Sequence, residues 1–438
     1  MGKKKSAGES DDILDSEVDD SLDIDGDIDI DDDIEVDEVE EEVDVADDKY
    51  SAFFASELKA AKKFTGRHDL LVADESEARR YGFEIPSLAL QYICQSNVLF
   101  MESLMLIAGK EATHKSSFAF EVARWVLSSG GFARLFNTEG GKFNPRLPPA
   151  VIGRHLINQN SWHVIECENL NQWQAHFNTV VSSYRKFYKV GKKLKKDETR
   201  LPLMPAVMIV DSLTGKGTDK TAKFFEKEGA SANTQGAQIA KSICDFLQNQ
   251  DFGYLPWFIM MVRHEKPGGI GSTFMAAPSK STPGGKAPDF LGGYDFRFRL
   301  REKYRERKDF QYNVIGITCK KNAFGADNLQ CDVRFSWEWI DNGGPEPEQI
   351  PKWEWNLATA QFLSNFDRAD IKDICHVVVS GPKPSPVFSC KQLGLESVSG
   401  EVLGAAVRQD AKIYQQLQDY LHIARWPMFD PHMELPSE

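Results

Sequence analysis

No apolar run in this sequence reaches the roughly 18 residues that a membrane-crossing helix needs. The opening "MGKKKSAGES" leads into acid rather than into the apolar segment of a secretory signal. A cytoplasmic, non-secreted protein with no membrane partner is therefore expected. The seven cysteines (94, 167, 244, 319, 331, 375 and 390) include no C-x-x-C pair. Their odd number and scatter exclude a zinc module of ordinary spacing and point to a reducing compartment. The run "SLDIDGDIDIDD" lacks both the first Asp and the last Glu of a calcium loop, and no helical pattern flanks it, so it does not fit an EF-hand.

Positive charge is nearly absent from one end. The first 48 residues hold 23 carboxylates against three lysines, a net charge of −20. The rest of the chain carries 49 basic and 43 acidic residues, a net +6, so an overall charge of −14 conceals a mildly basic body on a polyanionic tail. Such a tail cannot bury enough apolar surface to offset its ordering entropy and is expected to be disordered. A basic body can bind a polyanion, and the tail can compete for the same surface. After the tail, "YSAFFASELKAAKKF" places Phe53, Phe54, Leu58, Ala61 and Phe64 at helical spacing. It reads either as an amphipathic helix on its own core or as an arm that packs on a neighbouring subunit.

From about residue 80 to 340 short apolar runs alternate with longer amphipathic stretches. "SLMLIA", "ARLFNT", "AVMIVD" and "PWFIMMV" read as strands, with helices around 116–127 and over "TQGAQIAKSICDFLQ". Near-continuous apolar strands with intervening helices predict a mostly parallel sheet covered on both faces. "YDFRFRL", "YNVIGITC" and "CDVRFSWEW" alternate with period two and read as antiparallel strands added to one edge. The expected organisation is a tail at 1–48, an arm and linker at 49–80, an α/β core at 81–342, and a small α+β region at 343–438. A boundary is expected in the Pro-, Gly- and Glu-rich stretch 343–352, and a helical finish in "GEVLGAAVRQDAKIYQQLQDYLHI".

Chemistry enters with "LMLIAGKEATHKSS". A phosphate-binding P-loop reads G-x-x-x-x-G-K-[ST] between a strand and a helix. Here Gly109 opens the loop and Lys115-Ser116 close it, but His114 stands where glycine is usual. Such a loop cradles phosphates with the backbone N–H groups of Lys110, Glu111, Ala112, Thr113, His114, Lys115, Ser116 and Ser117. Lys115 supplies charge to the β/γ-phosphates, and the Ser116 hydroxyl ligates Mg²⁺. Asp211, ending "AVMIVD", stands where a second magnesium ligand belongs. Glu139, ending the next strand in "LFNTEGG", can orient or deprotonate water, or else is a turn residue before Gly140-Gly141.

This ordered set resembles the RecA-type homologous recombinases, most closely phage recombinases of the UvsX kind, over about residues 50–340. In that branch the residue before the P-loop lysine is also not glycine. The resemblance implies a RecA-like P-loop ATPase core that uses ATP and Mg²⁺. It implies water activation by Glu139, an adenine contact by Asn144 in "NP", and γ-phosphate sensing by His264 after "FIMMV". It implies a DNA-binding loop over "EKPGGIGSTFMAAPSKSTPGGKAPDF", with Arg263, Lys266, Lys280, Thr282, Gly284, Gly285 and Lys286 toward DNA. A shorter candidate loop is "GKGTDKTAKFFEKEGASANT". Lys320 and Lys321 match lysines that reach the nucleotide of the adjacent subunit, and which of the two reaches is left open. The expected function is an ATP-dependent recombinase that filaments on single-stranded DNA and pairs it with duplex DNA. Its partners are both forms of DNA, further copies of itself, a single-strand-binding protein and a loader, in the host cytoplasm if phage-encoded. A hexameric helicase on the same core and a non-hydrolysing mediator are the alternatives. The acidic tail, N-terminal here, implies electrostatic autoinhibition.

Overall fold

Strands that are apolar at every position need cover on both faces, and the fold supplies it. The computed structural model describes residues 81–101, 103–138, 143–167, 170–188, 202–212, 257–264, 292–307, 310–340, 348–383 and 385–432. A short antiparallel pair, β1 (Gly82–Glu84) and β2 (Val98–Phe100), flanks helix α1 (Leu88–Cys94) at the entry. Then come β3 (Ser103–Gly109), α2 (Lys115–Ser128), β4 (Phe132–Asn137), α3 (Leu147–Ile152), β5 (Trp162–Glu166), α4 (Leu170–Tyr188), β6 (Ala206–Asp211) and β7 (Trp257–His264). Long strands follow: β8 (Tyr294–Arg307), β9 (Phe310–Asn322), β10 (Leu329–Ile340) and the edge strand β11 (Glu348–Trp353).

These strands form one nine-stranded sheet in the order β11-β10-β9-β8-β3-β7-β6-β4-β5. From β8 to β5 every pairing is parallel, and from β8 to β11 every pairing is antiparallel. The protein is thus α/β, with the parallel sheet and antiparallel edge that the sequence pattern predicts. Alternation within each apolar strand divides it between two cores. Met105, Ile107, Val207, Ile209, Met260 and Val262 pack with Phe118, Val122 and Val126 of α2. Leu104, Leu106, Met208, Val210, Ile259 and Met261 pack with Trp173, Phe177 and Val181 of α4. A one-residue slip would exchange the faces of an entire strand, which pins the register.

Beyond the sheet lie α5 (Trp355–Asn365), α6 (Ala369–Cys375), a three-stranded antiparallel sheet of β12 (Val377–Ser380), β13 (Val387–Cys390) and β14 (Leu395–Ser399), and helices α7 (Gly400–Gln409) and α8 (Ala411–Tyr420). The expected helical finish is present and consists of two helices. Asp410 breaks the run and caps α8, its Oδ1 accepting from Ile413 N at 3.0 Å. This region has its own apolar cluster, which takes in Leu88 of α1.

The boundary differs from expectation. Glu348–Trp353 is not linker but the edge strand of the main sheet, paired to β10 from Phe335↔Trp353 to Ile340↔Glu348. An edge strand tolerates Pro351 because, among the described residues, one of its sides has no neighbour to hydrogen-bond. Trp353 and Trp355 stack at 5.4 Å and 14°, and both pack against Phe118 of α2. The C-terminal region is therefore joined to the core through an aromatic cluster. The 1–48 tail, the 49–80 arm and the helix expected over 234–248 lie outside the described residues.

Candidate nucleotide site

The carboxyl ends of β3, β4, β6 and β7 meet at one edge of the sheet: Gly109 pairs with His264, and Asn137 with Asp211. From β3 the chain passes to β4, beyond β7 and β6, whereas β8 is added on the opposite side of β3. Connections thus diverge around β3, and a crevice opens at the carboxyl ends of strands where this happens.

The loop 110–114 leaves β3 at that crevice and runs into α2. Gly109 is needed because a β-carbon there would lie 2.5 Å from the Phe298 carbonyl oxygen and 2.9 Å from Thr113 Oγ1. Gly109→Ala is expected to destabilise the fold by about 1–3 kcal/mol through overpacking, with weaker nucleotide binding. Thermal unfolding and fluorescent-nucleotide titration check this, and unchanged values in both would refute it. Lys110, Glu111 and Ala112 are exposed, while Thr113 is buried and donates from Oγ1 to the Lys110 carbonyl at 2.8 Å. Lys115 is only 4% exposed and its Nζ donates to the same carbonyl at 2.6 Å, folding the loop around its ammonium group. The first turn of α2 has no side-chain cap and no acidic residue. The N–H groups of 115–117 precede the first intrahelical bond, Phe118 N to His114 O, and belong to the loop.

Ser116 Oγ donates to Asp211 Oδ2 at 2.5 Å, joining residues 95 apart in sequence. A hydroxyl and a carboxylate in contact are two hard oxygen donors, the set that suits Mg²⁺, which keeps most of its shell as water and phosphate oxygens. These residues fit that ion. Thr138 adds support that the sequence reading missed: its N–H donates to the Asp211 carbonyl at 2.9 Å and its Oγ1 to the Ser212 carbonyl at 2.5 Å. Asn137 likewise holds Glu166 at the end of β5, with Nδ2 to both carboxylate oxygens at 2.9 and 2.8 Å. "WHVIE" is too short to signal that strand, whereas Thr138 directly precedes Glu139.

His114 adopts a left-handed backbone, φ 59° and ψ 29°. That is the conformation in which glycine is cheapest and His is enriched among other residues. Its ring stacks on Phe335 at 4.1 Å, meets Trp337 edge-on at 5.3 Å, and makes a 2.8 Å hydrogen bond between Nε2 and Asn313 Nδ2. Burial, then the charges of Lys115 and Lys303, push its pKa down to about 4, so the ring is neutral at physiological pH.

Of the other expected site residues, some lie at the crevice and some away from it. Arg263 is 0% exposed within β7, beside Ala108 of β3, so its guanidinium offers no surface to DNA. Strand alternation in a sheet covered on both faces turned the expected DNA contact into an interior cation. His264 ends β7 opposite Gly109, at the crevice. Asn144 caps the turn into α3, its Oδ1 accepting from Arg146 N at 3.0 Å. Lys321 pairs with Asp295, which pairs with Leu106, three residues short of the loop edge. Lys320, next to it, is exposed. Glu139, Lys266, Lys280, Thr282, Gly284, Gly285 and Lys286 lie outside the described residues, as do both candidate DNA loops. Among the described residues, no cluster of three His, Cys, Asp or Glu side chains could hold a metal ion, and no helix is long and apolar enough to cross a membrane. No protein-family model matches this sequence, and no curated protein matches it.

Proposed function

We propose that this protein is an ATP- and Mg²⁺-dependent DNA recombinase with a RecA-like core, acting as a filament on single-stranded DNA. The observation that carries the reading is the Ser116–Asp211 contact beside Lys115 at the carboxyl edge of a parallel sheet. A magnesium nucleotide requires these three groups together, and a chance G…KS match would not assemble them.

Bound magnesium ATP supplies the phosphoanhydride and a divalent charge that draws electrons from it. Lys115 neutralises phosphate charge, and the N–H groups of 115–117 hold phosphate oxygens at the head of α2. Ser116 and Asp211 hold the ion, and Glu139 orients water. His264, at the end of β7, reports the nucleotide state to the loop that follows it, which binds DNA through Lys266, Lys280, Lys286 and the backbone at Gly284-Gly285. Lys320 and Lys321, set back from the loop edge, address the nucleotide of an adjacent copy rather than their own.

The test is electron microscopy with single-stranded DNA and ATP, alongside steady-state ATP turnover with and without DNA. Extended helical filaments and DNA-stimulated turnover are expected. Closed rings would favour a hexameric helicase, and nucleotide binding without turnover a mediator. For the tail, deleting residues 1–48 removes a charge of −20. The deletion is expected to tighten DNA binding, most at low salt where screening is weak. Equal affinities of both forms across a salt titration would eliminate autoinhibition.

A further inference from the structure

His114 carries a left-handed backbone conformation that is unfavourable for a residue with a β-carbon, and it is held there by contacts from far along the chain. Asn313 and Phe335, which bond and stack with its ring, are cross-strand partners on β9 and β10. The ring thus engages one rung of the antiparallel ladder. A second tie closes a circuit. Phe335 packs on Trp353 of β11 at 4.9 Å, and Trp353 Nε1 donates to the Ser117 carbonyl at 3.3 Å. The segment from 114 to 117, which contains Lys115 and Ser116, is held at both ends by one aromatic group on β10 and β11. A glycine at 114 would satisfy the backbone and break that circuit.

We infer that His114 is a positioning residue: braced on the Asn313–Phe335 rung, it fixes the loop that presents Lys115 and Ser116 and couples nucleotide occupancy to the antiparallel strands. The inference rests on the functional reading above, in that a nucleotide occupies the loop. The strands β9–β11 are then part of the nucleotide response. Trp337, whose ring meets His114 edge-on, lies where that response can be read.

The experiment uses the full-length protein with a fluorescent ATP analogue for binding, ATP for turnover, and tryptophan emission as the structural readout. Nucleotide is expected to change the wild-type emission, and Trp337→Phe to remove that change. His114→Gly, free of backbone strain, is expected to bind nucleotide within about threefold of wild type but to lower kcat about tenfold through misplacement of reacting groups. It is also expected to lose the Trp337 signal. Phe335→Leu should reproduce both effects, and His114→Phe, which keeps the stack, should recover most of kcat. A merely structural role would lower the melting temperature and leave kcat and the signal alone. Wild-type emission unmoved by bound nucleotide, or His114→Gly with wild-type kcat and signal, overturns the inference. The wild-type measurement decides even if a variant fails to fold. Absence of Lys115-dependent nucleotide binding by the wild-type protein instead overturns the functional reading and this inference with it.

Discussion

Lys115→Ala is expected to reduce DNA-stimulated ATP turnover by about 100- to 1,000-fold, the scale set by losing one preorganised charge at a phosphoryl centre. The fold should survive. The ammonium group donates to the Lys110 carbonyl, which also accepts from Thr113 Oγ1 and so keeps a donor when Lys115 is truncated. The Ser116–Asp211 contact and the aromatic packing of α2 are made by other side chains. Circular dichroism and a thermal melt should therefore match wild type while turnover collapses. Turnover that persists at wild-type rate in a folded Lys115→Ala protein would show that this loop is not the nucleotide site.

The largest stability effect is expected one turn and a half further along the same helix. Glu121 is 1% exposed, and its Oε1 accepts from Trp125 Nε1 at 3.1 Å, from Trp355 Nε1 at 3.0 Å and from the Arg124 guanidinium. Trp355 opens α5, so one carboxylate joins α2 to the C-terminal region. Glu121→Ala strands a buried indole N–H and leaves a cavity, and should cost about 2–4 kcal/mol, measured by urea unfolding. Burial raises the Glu121 pKa above its ordinary value; Arg124 and the three bonds oppose this without reversing it. Between the ordinary carboxylate pKa and the raised native value, the native state holds more protons than the unfolded state. The contribution of this group is therefore full below the ordinary value and is lost as pH rises through the native one. Glu121→Gln keeps an acceptor for the two indoles and should lack that slope. An identical pH dependence of stability in wild type and Glu121→Gln would dismiss the assignment.

Much of the core was legible because its signals are local. "LMLIA", "AVMIV" and "WFIMMV" are apolar at every position, as a strand covered on both faces requires. The change to period-two alternation at "YDFRFRL" marks the passage from parallel to antiparallel pairing. The P-loop, too, is a local pattern, and Asp211 could be matched to it by its place at a strand end. β5 and β11 were missed because "WHVIE" is short and "EQIPKW" contains proline. Both lie at sheet edges, where a strand needs few of the usual signals. The resemblance implies a DNA contact for Arg263, yet alternation within β7 places it in the interior.

Most strands and helices of the core, the strand–loop–helix pattern around Gly109–Ser117, and the division of charge between tail and body follow from the sequence alone. Each of these depends on neighbours within a few residues or on composition. Only the tertiary structure decided what surrounds the loop: Asn313, Phe335 and Trp337 around His114, and Trp353 and Trp355 on α2. Those contacts span about 200 residues or more and follow from sheet register, which sums many weak pairings and is written in no single stretch of chain. The histidine before Lys115, out of place as a motif letter, has its physical reason in that distant rung.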